Sequence, residues 1–456
     1  MHDAAETPDN PAARLPLIAI PLARLRQAHA ALSRRPFLKN VSIMLTGAAA
    51  GQCVSVALAP VLTRIYSPQQ FGVLSVYTAV LSILVVLGSL RYELTLPLAN
   101  SEEDAINLVA VCGCTLLGMT TLIGILAFAV PESLVKDIWP TPIYWLRVNV
   151  YCGLLVLGFF CLGAYYIALY LATRQGAFRA IARTRVNQGV AGPLTQIGLG
   201  LGGAGAPGLV IGSILGQSVG TFGLVYRVLN ERRQLLRGIS WQRMRALAWR
   251  YRRFPMIASW AALIDTAGGN QLLFLMVSTV YSARIAGFIF LADRVVARPL
   301  TLIGTSILQV FVGEAGRTAS SDPAKLQARF YQVTSRQFLL AAVWILLCNV
   351  AATALFPTIF GADWSDAVIY LRAMSIGYLA QLVVMPVFHT LQILEKQALA
   401  AAWQLGRLLL ILSVFAVSIH ENLTAPWAVF SYSAAQALSS ALLFAIMARE
   451  IQRLQR

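Results

Sequence analysis

Two arginines four residues apart stand in an otherwise apolar stretch, "LADRVVARPLTLIGTSILQ", residues 291–309. Side chains three or four residues apart share one face of a helix, so Arg294 and Arg298 are expected to point the same way. Three uncharged polar residues continue this stripe at the same spacing: Thr301, Thr305 and Gln309. Because guanidinium groups form paired hydrogen bonds with phosphate oxygens, the stripe predicts a cationic surface that receives an anionic group.

Acidic neighbours offer a different interpretation of the same arginines. Asp293 adjoins Arg294, and Asp265 lies in the preceding apolar stretch, so either carboxylate is a candidate structural partner for the arginines. Asp265 also opens a polar patch with Asn270 and Gln271, which is a candidate site for a coupling proton or cation. The sequence leaves pairing and ion coupling open for both acids.

Two further arginines interrupt apolar stretches. Arg64 lies at the end of the first apolar stretch, where its side chain either lines a cavity or extends to water. Arg407, in "AAWQLGRLLLIL", is placed deeper and is either exposed to a cavity or structurally paired. Arg91 and Glu93 follow the second apolar stretch and are a candidate latch of an inner gate.

The composition indicates which solvent surrounds these groups. Of 456 residues, 58% are hydrophobic and only 12% are charged, whereas soluble domains carry about 25% charged residues. A bilayer is therefore the expected solvent for most of the chain. All six cysteines fall within apolar stretches, so we interpret them as buried free thiols and expect no metal site.

Apolar stretches of about 20 residues, the length that crosses a bilayer, recur along the chain. They predict an all-α membrane protein of about twelve transmembrane helices. The candidate spans begin near Val41, Gly72, Ala105, Val150, Arg185, Gly208, Phe254, Arg284, Phe338, Tyr370, Gln397 and Thr424. The sixth span carries four glycines at a spacing of four residues, which is typical of close helix packing: Gly208, Gly212, Gly216 and Gly220.

The distribution of basic residues predicts how the chain is oriented in the membrane. With both termini in the cytoplasm, the connections on that side hold most of the arginines, Arg185 among them, as the positive-inside rule requires. The basic run 232–253 is then a linker that meets anionic lipid headgroups, and the net charge of +17 needs no nucleic-acid partner. The predicted parts are a cytoplasmic arm (1–40), an N-lobe (41–228), a basic linker (229–253), a C-lobe (254–448) and a cytoplasmic tail (449–456).

A repeated hairpin indicates how the two lobes are related. The sequence "LTRIYSPQQFG", residues 62–72, corresponds to "VSTVYSARIAG", residues 277–287. Three residues match at a constant offset of 215: Tyr66 with Tyr281, Ser67 with Ser282, and Gly72 with Gly287. Each six-helix lobe then begins with the same unit, and a substrate site is expected between the lobes near the midplane.

Two features that the sequence lacks restrict the possible classes of function. No glycine-rich phosphate loop occurs, and the connections are too short to hold an enzymatic domain. We therefore expect no enzyme and no cofactor, apart from a coupling proton or sodium ion. Two six-helix halves without an ATPase describe a secondary transporter.

Several stretches of the chain resemble one known family. "LTRIYSPQQFG", "RYELTLPLANSEEDAINL" and "GFIFLADRVVARPLTLIGTSILQVF" are similar to segments of polysaccharide-biosynthesis proteins, or oligosaccharide flippases. These belong to the multidrug/oligosaccharidyl-lipid/polysaccharide exporter superfamily. "FGADWSDAVIYLRAMSIGYLAQLVVMPVF" resembles the family's ninth-to-tenth helix region, and the resemblance covers most of residues 40–450.

The resemblance implies two six-helix lobes that form a V around a central cationic cavity. It implies an oligosaccharide substrate joined by diphosphate to a polyprenol, usually undecaprenol, which crosses from the cytoplasmic to the periplasmic leaflet by alternating access. A proton or sodium gradient often drives this step. The family's arginines of helices one and eight fall on Arg64 and Arg294. Relatives often have glutamine where this chain has Asp293, so Arg298 is a second candidate.

The leading interpretation is a flippase of the bacterial inner membrane that serves O-antigen, capsule or exopolysaccharide synthesis, with polymerase and chain-length proteins as candidate partners. A drug/cation antiporter of the same superfamily is the alternative, and it would require a dominant buried acid. A membrane glycosyltransferase would require a long outer loop with catalytic groups, which the sequence lacks. A non-transporting scaffold of a synthesis complex would have little need of arginines in mid-membrane.

Overall fold

A computed structural model describes residues 36–129, 144–221, 223, 224, 226, 238–318 and 322–455. The described residues form helices and short connections without a strand. Most of the predicted cytoplasmic arm and the first part of the basic linker lie outside the described residues.

Seven α-helices make up the N-terminal half of the described chain. They are α1 Pro36–Ala57, α2 Ala59–Ile65, α3 Pro68–Leu84, α4 Glu102–Ala129, α5 Tyr144–Arg174, α6 Phe178–Leu201 and α7 Gly205–Ser218. α1 and α2 together form the first predicted span, and each later helix forms one span. The connection between α3 and α4 contains two 3₁₀ turns, Val85–Leu87 and Tyr92–Leu98.

A short helix, α8, precedes the C-terminal half, whose helices are more often interrupted. The bounds are α8 Trp241–Arg250, α9 Ser259–Thr266, α10 Leu272–Val280, α11 Ala283–Ala292, α12 Arg298–Thr318, α13 Pro323–Phe360, α14 Ala367–Val384, α15 Thr390–Ile393, α16 Gln397–His420 and α17 Ala425–Arg453. The seventh predicted span consists of α9 and α10, and the eighth consists of α11 and α12. Three π turns occur in these two spans: Phe254–Ala258, Ala267–Gln271 and Asp293–Ala297.

The π turn Asp293–Ala297 contains or adjoins both arginines of the predicted cationic stripe. Proline has no N–H to donate to the preceding turn, and Pro299 lies just beyond this segment. The helix widens there, and the Val296 carbonyl accepts a hydrogen bond from Trp344 Nε1 of α13 at 3.1 Å. The wider turn thus satisfies its backbone through a neighbouring helix.

Among the described residues, eight helices are long and apolar enough to cross a membrane, which identifies a multi-pass membrane protein. They are Thr46–Ile65, Pro68–Leu87, Glu102–Ala129, Asn149–Arg174, Pro323–Phe360, Ala362–Ile393, Gln397–His420 and Ala425–Arg453. The other four predicted spans are shorter, broken or more polar. They contain α6, α7, α9 with α10, and α11 with α12.

The helices form two lobes of six spans, and the repeated hairpin begins both. The Ser67 side chain accepts a hydrogen bond from the backbone N–H of Gln70 and caps α3, and Ser282 caps α11 in the same way through Ile285. The tyrosine before each serine donates to a backbone carbonyl within its own lobe. The hairpin that repeats in the sequence therefore also repeats in the structure.

The two hairpins meet where the lobes touch. A Cβ atom on Gly72 would lie 1.7 Å from the Ala283 carbonyl oxygen, so α3 and α11 are in backbone contact at this point. The indole Nε1 of Trp364, which is 1% exposed, donates to the Thr63 carbonyl at 3.0 Å. Arg64 Nη2 donates to the Thr358 carbonyl at 3.1 Å. We call this set of contacts the closed end.

The amphipathic helix α8 packs on the N-lobe. Its Met244 and Leu247 are buried, and the Ala248 carbonyl accepts a hydrogen bond from the Tyr92 hydroxyl at 3.1 Å. Asn107 of α4 fixes the start of α8 because its Oδ1 accepts from the Ser240 N–H at 3.0 Å. The end of the predicted linker is thus a docked helix.

Candidate functional site

A cavity of about 420 Å³ lies between the two lobes. Its N-lobe side is formed by residues of α1, α3, α6 and α7. Its C-lobe side comes from the eighth span and consists of Phe290, Arg294, Arg298 and Leu302. Gly287 also belongs to the closed end, because a Cβ atom on it would lie 1.9 Å from the Pro68 carbonyl oxygen. Arg294 follows Gly287 by seven residues, which is about two helical turns. The cavity therefore begins where the contact between α3 and α11 ends.

The charge of the cavity wall has one sign. Three arginines contribute to it, Arg185 from α6 and Arg294 with Arg298 from the eighth span. No aspartate or glutamate is among the described residues that line it. A surface of this kind attracts anions and excludes cations.

Arg294 is the most deeply placed of the three arginines. It is 8% exposed, and its Nη2 donates to the Ser55 hydroxyl at 2.7 Å and to the Ser55 carbonyl at 3.2 Å. These bonds join the eighth span to α1 of the other lobe. Arg294 forms no ion pair with any described residue. A guanidinium without a carboxylate partner at this depth is costly unless a ligand anion compensates for it.

Arg298 is held in a different way. Its Nε donates to Asp293 Oδ2 at 3.3 Å, and its side chain is 48% exposed. Asp293 Oδ1 accepts a second hydrogen bond from Asn270 Nδ2 at 2.9 Å, so the carboxylate links both π-turn regions. Asp293 therefore pairs with Arg298 and not with Arg294. Because this contact uses only Nε, the two terminal amino groups of Arg298 stay available to the cavity.

Arg185 is a cavity residue that the sequence patterns did not indicate. The charge distribution assigned this arginine to a cytoplasmic connection, whereas the structure places it inside α6 on the cavity wall. Its guanidinium also lies over the ring of Tyr165, 5.3 Å from the centroid. The missed signal was a polar stripe with Gln188 and Gln196 at offsets of three and eleven residues, which fall on one helical face.

The uncharged part of the predicted stripe does not line this cavity. The Thr301 hydroxyl donates to the Arg298 carbonyl at 2.8 Å, and the Thr305 hydroxyl donates to the Leu302 carbonyl at 2.9 Å. Gln309 is exposed and is likewise absent from the wall. Leu302, the residue after Thr301, lines the cavity instead of Thr301.

The other two predicted arginines lie away from the described cavity. Arg64 forms part of the closed end through Thr358. Arg407 Nη2 pairs with Asp265 Oδ1 at 3.1 Å and also donates to the Asp265 carbonyl at 3.0 Å. Its guanidinium lies 4.8 Å from the ring centroid of Trp403. Arg407 is thus structurally paired, and the partner of Asp265 is Arg407 and not Arg294, the arginine considered for it from the sequence.

The remaining predicted groups lie within single lobes. Asn270 joins Asp293 to the Tyr432 hydroxyl, which lies 3.3 Å from Asn270 Oδ1, and Gln271 adjoins it in the same π turn. Arg91 and Glu93 approach to 3.7 Å in the connection after α3, and no described hydrogen bond or ion pair joins their side chains to the C-lobe. Among the described residues, no group of three or more His, Cys, Asp and Glu side chains is arranged to hold a metal ion.

Solved structures share this architecture at low sequence identity. The chain is similar to a structure described as a multidrug resistance MATE family transporter of the MOP superfamily in its inward-facing conformation. The TM-score is 0.67 at 15% identity, and the match covers 91% of this chain and 95% of that chain. It is also similar to the outward-facing conformation of such a transporter, with a TM-score of 0.58, 13% identity and coverage of 92% and 96%.

A third similar structure is a MOP superfamily transporter from Pyrococcus furiosus, described as having a binding pocket of reverse polarity that suggests a different function. Its TM-score is 0.59 at 13% identity, and the match covers 92% of this chain and 96% of that chain. At these identities the similarity establishes the fold, which is the two-lobe transporter fold predicted from the sequence.

The comparison of sequences gives the family. A search of curated proteins finds no match to the chain. The profile of a family described as polysaccharide biosynthesis protein matches residues 61–369, more than half of the chain, and the chain therefore belongs to the polysaccharide biosynthesis protein family.

Proposed function

We propose that this protein is a flippase that moves a polyprenyl-diphosphate-linked oligosaccharide from the cytoplasmic to the periplasmic leaflet of the bacterial inner membrane. The observation that carries the proposal is Arg294, which is buried at the wall of a cavity between the lobes and has no acidic partner among the described residues. Membership of a polysaccharide biosynthesis family and the two-lobe fold support the same conclusion.

The arrangement suits the physical demands of this transport. A diphosphate carries negative charge that cannot enter hydrocarbon alone, and the three arginines of the cavity provide opposite charge from both lobes. The polyprenyl tail is apolar and remains in lipid while the head passes between the lobes. A proton or sodium gradient is the proposed energy source.

The proposed orientation places both termini in the cytoplasm. The closed end contains the connections predicted on the outer side, so the cavity is assigned to a state that loads substrate from the cytoplasmic leaflet. Opening of the closed end would then release the substrate on the opposite side. This assignment is based on the positive-inside distribution of arginines.

A drug/cation antiporter is the second candidate, because solved transporters of similar fold are described as multidrug resistance proteins. A cationic substrate would require an available carboxylate in the cavity. Asp293 is occupied by Arg298 and Asn270, and Asp265 is occupied by Arg407. The charge of the described cavity therefore favours an anionic substrate.

The proposal is tested with purified protein reconstituted in liposomes that contain undecaprenyl-diphosphate-linked N-acetylglucosamine in one leaflet. The wild-type protein is expected to transfer this lipid, and Arg294→Ala is expected to reduce the rate at least tenfold. Arg372→Ala is the matched control, because Arg372 is an exposed arginine that donates to Thr353 Oγ1 at 2.8 Å away from the cavity.

Transfer by Arg294→Ala at the wild-type rate would refute the assigned role of the cavity. A wild-type protein that transports organic cations and does not bind undecaprenyl diphosphate would support the antiporter instead.

A further inference from the structure

We propose that the N-lobe wall of the cavity is a separate subsite that binds the hydroxyl groups of an uncharged sugar, while the arginines bind the diphosphate. This inference rests on the flippase function proposed above and adds a recognition role for the sugar. It concerns four glutamines that line the cavity from α1, α6 and α7: Gln52, Gln188, Gln196 and Gln217.

The two walls of the cavity differ in chemistry. The C-lobe wall has two arginines, one phenylalanine and one leucine, and none of these side chains carries a carboxamide or hydroxyl group. The N-lobe wall has the four glutamines together with serine and threonine side chains and a single arginine, Arg185. Hydrogen-bonding groups without charge are thus concentrated on one side.

Three of the glutamines donate an amide N–H to the protein, and the side-chain oxygens of two of them accept no described hydrogen bond. Gln188 Nε2 donates to the backbone carbonyl of Gln217 at 2.7 Å, and Gln196 Nε2 donates to the backbone carbonyl of Leu209 at 2.9 Å. Gln217 Nε2 donates to the Ser213 hydroxyl at 2.9 Å. For Gln196 and Gln217, no described hydrogen bond uses the Oε1 atom, whereas the side chain of Gln188 also lies within hydrogen-bonding reach of Tyr165. The wall therefore presents fixed acceptors.

Fixed acceptors discriminate between the two polar parts of the substrate. An ionised diphosphate offers only acceptor oxygens, so it gains nothing from a carboxamide oxygen and is drawn to guanidinium groups. A sugar hydroxyl donates a hydrogen bond and matches an amide oxygen. The complementarity places the sugar on the N-lobe side and the diphosphate near Arg294.

Close packing of the helices fixes this wall. A Cβ atom on Gly189 would lie 2.3 Å from Gly51, and one on Gly216 would lie 2.6 Å from Gly192, so α1, α6 and α7 touch at the backbone. No side chain separates these helices at their contacts, and the glutamines beside the glycines line the cavity. Acceptors held in place by such packing lose little freedom when a ligand binds.

The experiment compares two lipids that differ only in the sugar. Affinities of the detergent-purified full chain are measured for undecaprenyl diphosphate and for undecaprenyl-diphosphate-linked N-acetylglucosamine. Gln52→Met is the first variant because Gln52 lines the cavity and makes no described hydrogen bond, so its loss spares the fold. Gln217→Met is the second. Gln332→Met is the control, since Gln332 lies on the surface beside Arg329.

Each cavity variant is expected to weaken binding of the sugar-bearing lipid five- to tenfold, about the effect of one neutral hydrogen bond, and to change binding of the bare diphosphate less than twofold. Equal weakening of both lipids, or no change in either, would overturn the subsite. A wild-type protein that binds the bare diphosphate but gains nothing from the sugar would refute the subsite alone. A wild-type protein that binds neither lipid would refute the proposed flippase function as well.

Discussion

Gly72 and Gly287 lie in backbone contact across the two lobes. A Cβ atom on Gly72 would lie 1.7 Å from the Ala283 carbonyl oxygen, and one on Gly287 would lie 1.9 Å from the Pro68 carbonyl oxygen. The two glycines hold equivalent positions in the repeated hairpin, so the closed end brings like elements together in an approximately symmetric contact.

Side chains at these glycines should open the closed end. In Gly72→Ala and Gly287→Ala the new methyl group meets rigid backbone, and the lobes must separate to accommodate it. We expect a longer distance between spin labels at Gln69 and Arg284, both exposed near the contact, measured by double electron–electron resonance. Transport should fall at least tenfold, because the inward-loading state becomes less populated.

Gly113→Ala is the control for this experiment, since a Cβ atom there would meet no atom within 4 Å. An unchanged label distance in both interface variants would show that the contact does not determine the conformational equilibrium.

Arg185 should contribute to diphosphate binding from the N-lobe. Arg185→Ala is expected to weaken binding of undecaprenyl diphosphate about tenfold and to reduce its dependence on salt, because one exposed cationic contact is lost. Arg183→Ala is the matched control, being an exposed arginine of the same helix that does not line the cavity. Titrations at two salt concentrations provide the measurement, and equal effects of both variants would exclude a specific role for Arg185.

Asp293 should moderate the charge of the cavity. Asp293→Asn removes the negative charge beside Arg298 while an amide can still meet Asn270, so we expect about fivefold tighter binding of undecaprenyl diphosphate and slower release. The gain should disappear when Arg298→Ala is added, because the freed guanidinium is then absent. Binding and transport assays on the two single variants and the double variant test this. Weaker binding by Asp293→Asn would contradict it.

The Asp265–Arg407 pair should act on stability more than on binding. Breaking a fully buried pair costs about 3–5 kcal/mol. Here the Asp265 side chain is 41% exposed and that of Arg407 is 11% exposed, so water reduces the loss to about 1–2 kcal/mol. Arg407→Met and Asp265→Asn should each lower the melting temperature in detergent.

The double variant of this pair should be more stable than either single variant, because no uncompensated charge remains. Strictly additive losses would mean that the two side chains do not interact energetically.

The number and order of the spans were predictable from the sequence because a bilayer requires long apolar stretches, and short polar connections mark their ends. The repeat was predictable because each copy keeps the residues that build its turn. Ser67 and Ser282 cap the helices that come after them, and Gly72 and Gly287 permit the close contact. Features that depend on a few neighbouring residues can be predicted directly from the sequence.

The full composition of the cavity was not predictable, and the π turn is one reason. A π turn adds a residue to the helical repeat and shifts the register of the residues after it, so the spacing of three and four residues fails beyond Arg298. Arg185 was missed because a charge rule designed for loops counted it as a loop residue. The pairing of Asp265 with Arg407 joins α9 to α16 and is a tertiary contact that no local pattern reveals.

The polarity of α6 has a consequence for how the protein enters the membrane. This helix is absent from the described helices that are apolar enough to span by themselves. It carries Arg185 in its first half, and an arginine opposes insertion by up to about 2.5–3.5 kcal/mol, the value at a helix centre. The translocon should therefore retain α6 poorly until α1 and α7, whose glycines contact its backbone, are present. Biogenesis of the N-lobe then proceeds by joint insertion of several helices, because Arg185 prevents one of them from partitioning alone.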